Sequence, residues 1–126
     1  MSEEHMEIVE EYSHQCRVVR EGGGGEPTFH YEGPLGRVQT FASESKATLY
    51  ADVQELMGGF REEKTGERGV PPSVARARHD VLVSYLACQP SMSVTWAARH
   101  FDIAEEEVRQ YITMVRERAE ASREDN

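Results

Sequence analysis

The sequence predicts a mainly α-helical protein with a small N-terminal β-hairpin, an α+β fold whose C-terminal part is a trihelical helix-turn-helix core. Apolar residues recur at helical spacing over residues 45–57 and in three successive segments of 73–120. Two short β-like runs separated by glycine and proline indicate the hairpin. We therefore expect a single small domain over 26–120, after a flexible or partly ordered arm at 1–25 and before a disordered tail at 121–126.

The β-like runs are residues 28–31 and 37–41, joined by a glycine- and proline-containing segment, 32–36. An isolated hairpin is only marginally stable in water, so it must pack on the helices or on a second subunit. Residues 5–19 fit either a helical face or a strand. Glycines 22–25 then predict a flexible linker between the arm and the domain.

The first predicted helix covers residues 45–57 and stops at Gly58, because glycine readily adopts the left-handed conformation that ends a helix. The charged segment 61–69 is predicted to be a loop. A second helix follows over 73–89 and is ended by Pro90, which cannot continue a helix. The apolar residues at helical spacing around the first helix are Leu49, Tyr50, Val53, Leu56, Met57 and Phe60.

The last two predicted helices, 93–101 and 104–120, form a helix-turn-helix pattern. Small Ala98 lets the two helices cross closely, whereas a bulky side chain would hold them apart. Asp102 occupies the turn position, where a positive φ favours glycine and is less easily adopted by aspartate. The residues predicted to face inward are Ala97, Ala98, Phe101, Ile103, Val108 and Tyr111.

The chain is acidic, with 23 aspartates and glutamates against 14 lysines and arginines and a net charge of -9. Lys46 and Lys64 are its only lysines. This composition is typical of a protein from a high-salt or high-GC organism. In molar salt the Debye length is only about 3 Å, so the acidic surface repels itself little. The same charge argues against strong non-specific DNA binding, which normally needs a basic face.

Several strings in the chain are distinctive: ATLYADV at 47–53, TGERGVPP at 65–72, Gln89-Pro90, Trp96, and VRERA at 115–119. Together they resemble small uncharacterised proteins of halophilic archaea, over roughly residues 41–120. The resemblance implies a halophilic, intracellular setting. It implies no activity.

The second helix of a helix-turn-helix usually lies in the DNA major groove. Arg109 and Gln110 can pair with guanine and adenine, because each side chain presents two suitably spaced polar groups to a base edge. Arg116, further along the helix, is expected to contact phosphate. The sequence therefore predicts a DNA-associated transcriptional regulator or accessory factor. Its candidate DNA-binding residues are Arg99, Glu105, Arg109, Gln110, Thr113 and Arg116.

Glutamates 105–107 oppose this hypothesis, since carboxylates at the groove would repel phosphate. The alternative is a non-enzymatic protein-interaction or dimerisation module of a halophile, with no direct DNA contact and with itself or another protein as partner. If the arginines of the helical half share one surface, DNA binding is favoured; if they are scattered among acids, the interaction module is favoured. These arginines are Arg76, Arg78, Arg99, Arg109 and Arg116.

Other site types have weaker support in the sequence. His14, Cys16 and His30 could be zinc ligands with His5, but a single short spacing is a weak zinc pattern. No catalytic arrangement stands out, so we predict no enzyme, no cofactor and no metal.

The acidic N-terminus does not resemble a signal peptide, and no run approaches the ~18 apolar residues of a membrane span. We therefore expect a cytoplasmic protein without a membrane partner.

Overall fold

The computed structural model describes residues 5–22, 25–59 and 71–124. Within those residues a four-stranded sheet precedes five helices. The strands are β1 (His5–Glu11), β2 (Arg17–Gly22), β3 (Thr28–Gly33) and β4 (Gly36–Phe41). The helices are α1 (Glu44–Met57), α2 (Pro72–Ala75), α3 (His79–Ala87), α4 (Val94–Phe101) and α5 (Glu105–Glu124).

The sheet is an antiparallel meander in the order β1-β2-β3-β4. The predicted fold class, mainly α with only a small N-terminal hairpin, is therefore wrong in its β part. The segment predicted as an arm supplies β1 and β2, and Gly22 ends β2. A bulge between Ile8 and Glu10 shifts the register with β2. Side chains of a regular strand alternate between the two faces of the sheet, and the bulge interrupts this alternation. The apolar pattern of the sequence is therefore ambiguous there.

One face of the sheet packs on α1 around Tyr50, which is fully buried. The rings of Tyr31 and Phe41 lie 5.3 Å and 5.4 Å from the Tyr50 ring. Val18 and Phe29 belong to the same buried cluster. The sheet is thus stabilised by aromatic and aliphatic contacts with the helices, which a lone hairpin would lack.

Helix α1 follows its predicted bounds to within one residue. Ser43 is the N-cap, and its side chain accepts the backbone N–H of Lys46 at 3.3 Å. Gly58 ends the helix in the left-handed conformation, with φ 70°. The helix lies between the sheet and the remaining helices and is buried over most of its middle section.

The predicted helix 73–89 is interrupted, because Arg78 is extended and separates α2 from α3. The predicted loop 61–69 lies outside the described residues. At the other end of the chain, α5 continues to Glu124, past the predicted end near residue 120. Its last turn is held by Arg123, whose guanidinium lies 4.8 Å from the ring centre of Tyr12 and donates to the carbonyl of Glu11.

Helices α4 and α5 are joined by a short turn in which Asp102 is left-handed, with φ 56° and ψ 51°. Its backbone N–H bonds back to the carbonyls of Ala98 and Arg99. Ala98 is 6% exposed at the helix crossing. A second core cluster joins the three helices α3, α4 and α5, and its buried members are Val83, Ala87, Ala97, Ala98 and Val108.

Candidate functional site

The predicted DNA-binding residues divide into two groups in the structure. Arg99, Arg109, Gln110 and Thr113 are exposed on α4 and on the first half of α5, and Glu105 is half-buried beside them. Arg109 Nη2 donates to Glu105 Oε1 at 3.2 Å, so its charge is already neutralised by a neighbouring turn of α5. The other carboxylate oxygen of Glu105 accepts the Thr95 hydroxyl at 3.1 Å.

Arg116 belongs to a different environment. It faces α1, where its guanidinium donates to Asp52 Oδ2 at 3.1 Å and to Thr48 Oγ1 at 3.2 Å. The same guanidinium donates to the Ser45 carbonyl at 2.9 Å. These bonds join α5 to α1, so the structure gives Arg116 a role in helix packing where the sequence predicted a phosphate contact.

Asp52 lies at the bottom of a polar cleft of about 280 Å³ between β1, α1 and α5. Burial raises the pKa of this carboxyl to about 6, although Arg116 and Arg123 lower it. Arg123 also lies 3.7 Å from Glu10. Since both guanidiniums in the cleft are bound by protein groups, the cleft functions as a contact between elements. Its lining residues are Val9, Glu10, Tyr12, Glu44, Thr48, Asp52, Arg116, Glu120 and Arg123.

The arginines of the helical half are distributed among carboxylates. Arg78 Nε lies 3.5 Å from Asp80, and the pairs of Arg109 with Glu105 and Arg116 with Asp52 lie on other elements. Arg76 and Arg99 are exposed, and neither makes an ion pair with another described residue. The exposed side of α5 is acidic, with Glu106, Glu117, Glu120 and Glu124.

A continuous series of rings crosses α5, α3 and α4, and we call it the ring strip: Tyr111, His79, Phe101, His100 and Trp96. The His79 ring lies 5.4 Å from Tyr111 and 5.3 Å from Phe101, edge to face in both cases. His100 lies 4.9 Å from Phe101 and stacks on Trp96 at 4.7 Å, with the planes 10° apart. The two histidines are exposed and the other three rings are half-buried.

A buried carboxylate fixes the charged groups beside the ring strip. Asp80 is 3% exposed and accepts Arg118 Nη1 at 2.8 Å, while Arg78 approaches its other oxygen. Asp80 is also the only aspartate or glutamate among residues 72–101. Helices α3 and α4 therefore expose His79, Arg99 and His100, and the carboxylates of Asp102 and Glu105 line a cleft together with Arg99.

Two contacts between distant elements, those of Lys46 and Asp52, were not predicted from the sequence. The ammonium of Lys46 donates to the carbonyls of Gln89 at 3.1 Å, Pro90 at 3.3 Å and Met92, which fixes the connection between α3 and α4. Nothing in the local sequence indicates this contact, because the partners are more than forty residues away. The sequence does contain a signal for Asp52. A charged residue between Leu49 and Val53 interrupts the apolar pattern of α1, which indicates a polar contact on that helix.

Two of the residues weighed as zinc ligands, His30 and Cys16, are engaged in other contacts. His30 is 4% exposed, and its ring nitrogens lie 2.8 Å from Glu21 and 2.9 Å from the Thr40 hydroxyl. The Cys16 thiol donates to the His14 carbonyl at 3.6 Å. Within the described residues, no group of three or more histidine, cysteine or acidic side chains is arranged to hold a metal ion.

Comparison with known proteins finds no family model, no curated protein and no solved structure that matches this chain. Over residues 5–22, 25–59 and 71–124, none of the helices combines the length and the apolar character needed to cross a membrane. The site must therefore be interpreted from its own geometry.

Proposed function

We propose that this chain is a non-enzymatic protein-interaction module and that α3, α4 and α5 form its binding part. The observation that carries the proposal is the pairing of Arg78, Arg109 and Arg116 with three different carboxylates. A DNA-binding surface gathers unpaired lysines and arginines, because its affinity comes from neutralising phosphates. The cytoplasmic, halophilic setting indicated by the sequence is part of the same proposal.

The acidic side of α5 also favours a protein partner. In a helix that enters the major groove, the solvent-facing side chains lie between two phosphate backbones. Here that side carries Glu106, Glu117, Glu120 and Glu124 with Arg109, and Arg109 is held by Glu105. Phosphates would meet net negative charge along most of the helix.

A DNA-associated regulator remains the second candidate, and one observation favours it. Asp102 adopts the left-handed turn expected of a helix-turn-helix, and this turn leaves Gln110 and Thr113 exposed at the start of α5. Amide and hydroxyl side chains in such positions can bond to base edges.

The deciding experiment is selection of bound duplexes from a random DNA pool, repeated from dilute to multimolar KCl. We expect no sequence to be enriched at any salt concentration. If a sequence is enriched and Arg109→Ala weakens its binding by about 1–3 kcal/mol, the DNA hypothesis replaces the proposal. Thr113→Ala should be tested in the same binding measurement. A separate experiment, analytical ultracentrifugation in the same buffers, shows whether the protein partner is a second copy of the chain.

A further inference from the structure

We infer that a pocket between α1, α4 and α5 binds a small organic anion, a carboxylate attached to an apolar body. The pocket has a volume of about 250 Å³, and we call it the serine pocket because Ser43, Ser45 and Ser93 line it. A small-molecule site goes beyond the proposed interaction module and does not depend on it. Three properties of the pocket carry the inference: its apolar walls, its free hydrogen-bond donors and its charge.

The walls of the serine pocket are largely apolar. Leu49 of α1 and Ala87 and Cys88 at the end of α3 are buried, and Val94 of α4 and Ile112 of α5 are half-buried. An apolar cavity of about 150 Å³ is enough to hold benzene. The serine pocket therefore has room for a ring or a branched chain together with a small head group.

The polar groups of the pocket offer donors to a ligand. Ser43 Oγ accepts the backbone N–H of Lys46 at 3.3 Å, Ser93 caps α4 in the same way at 3.0 Å, and Ser45 Oγ accepts Arg116 Nη2 at 3.3 Å. Each hydroxyl thus uses a lone pair and retains its single proton, which it donates to no other described residue. The two cationic side chains carry no acceptor at all. A ligand head group must therefore supply acceptors.

The charge of the pocket favours an anion. No aspartate or glutamate lines it among the described residues, although the chain has a net charge of -9. Arg116 is neutralised by Asp52, and Glu44 lines the polar cleft instead. Lys46 donates to three carbonyls but pairs with no described carboxylate, so its positive charge is not balanced. The N-caps of α1 and α4 add the positive ends of two helix dipoles.

A carboxylate fits these properties better than other head groups. An ammonium would find donors where it needs acceptors, and it would be repelled by Lys46. A phosphate dianion would place a second charge, without a balancing cation, against apolar walls, which is costly. A free carboxylic acid and the C-terminal carboxylate of a peptide share the required chemistry.

The experiment is titration of the full chain with phenylacetate in molar KCl, followed by the amide chemical shifts in NMR spectra. Molar salt screens the long-range attraction of any anion, so contacts inside the pocket decide the affinity. We expect the largest shifts in residues 43–46, 87–88 and 93–95. Two control ligands should bind at least tenfold more weakly: 2-phenylethylammonium, which has the same ring with the opposite charge, and acetate, which lacks the ring.

Ser93→Asp tests the head group within the pocket. Aspartate is also a good N-cap, so α4 keeps its cap, but a negative charge replaces the donating hydroxyl. The variant should weaken phenylacetate binding at least tenfold, with thermal unfolding as the check that the fold is retained. Ser91→Asp is the matched control, because it adds the same charge at an exposed position that does not line the pocket. It should leave the affinity unchanged, as should Ser93→Thr, which keeps both hydroxyl and cap.

Three results would overturn the inference: no shifts at the pocket, equal binding of phenylacetate and 2-phenylethylammonium, or equal weakening by Ser93→Asp and Ser91→Asp. A short peptide that ends in a phenylalanine carboxylate is titrated in parallel to distinguish the two sources of the anion. Tighter binding of the peptide than of phenylacetate assigns the pocket to a chain terminus, and weaker binding assigns it to a free acid. Either result supports the carboxylate site.

Discussion

Arg116 of α5 and Asp52 of α1 form an ion pair of 3.1 Å in which the carboxylate is 9% exposed and the guanidinium 33%. The two residues are 64 positions apart in sequence, and their pair joins α5 to α1. Arg116 is the arginine that the sequence predicted to contact DNA phosphate. Asp52 is the carboxyl whose pKa is raised by burial.

Arg116→Ala should lower the free energy of unfolding by about 1–3 kcal/mol, because Asp52 would be left buried without its partner. Thermal or urea unfolding in matched salt measures the change. Arg109→Ala is the control: its pair with Glu105 is exposed and should contribute less than about 1 kcal/mol. If both variants unfold like the wild type, the contact between Arg116 and Asp52 does not stabilise the fold.

The pKa of Asp52, about 6, predicts a specific pH dependence. Because the folded pKa lies above the ordinary value of 3.8, protonation of Asp52 favours the folded state. Its stabilising contribution is complete below the unfolded pKa and is lost as the pH rises through about 6.

Asp52→Asn should remove this dependence, since the amide cannot ionise and can still accept from Arg116. Relative to the wild type, the variant should gain about 1–3 kcal/mol between about pH 4.5 and about pH 7.5. Urea unfolding of both proteins across that range gives the difference directly. A difference that does not change with pH would show that Asp52 titrates normally in the folded protein.

Lys46→Met should destabilise the connection between α3 and α4. The methionine retains most of the apolar stem but leaves the carbonyls of Gln89 and Met92 without their donor. We expect a loss of about 1–3 kcal/mol and faster amide exchange in residues 88–94. Arg99→Met, which removes an exposed cation that makes no ion pair with another described residue, should leave stability and exchange there unchanged.

Asp102→Gly should stabilise the turn between α4 and α5, because φ 56° is strained for a residue with a Cβ atom. We expect a gain of up to about 1 kcal/mol from glycine and a loss of about 1–2 kcal/mol from Asp102→Val. Thermal unfolding measures both variants. If residue 102 did not adopt the left-handed conformation, the valine variant would be more stable than the glycine variant.

Salt should stabilise the whole chain. The net charge of -9 is spread over a small protein, and its self-repulsion is screened as ionic strength rises. The unfolding midpoint should therefore increase from dilute to multimolar KCl. A midpoint that stays constant or falls would remove the halophilic explanation of the acidity.

The sequence predicted helices well where the signal is local. The predicted bounds of α1 and α4 lie within one residue of the observed ones, because apolar spacing, Gly58 and the turn at Asp102 are local signals. It failed at β1 and β2, whose pairing depends on residues elsewhere in the chain. The bulge beside Ile8 removed the only local pattern that would have shown a strand.

The acidic charge, the helical periodicity and the aspartate at the turn can be read from the sequence, because they depend on residue type and short spacing. Which charges are paired within the protein follows from the fold alone. Arg116 meets Asp52, Arg118 meets Asp80, and Lys46 meets a distant loop. Contacts between residues far apart in sequence depend on how the helices pack, and no periodicity along the chain records that packing.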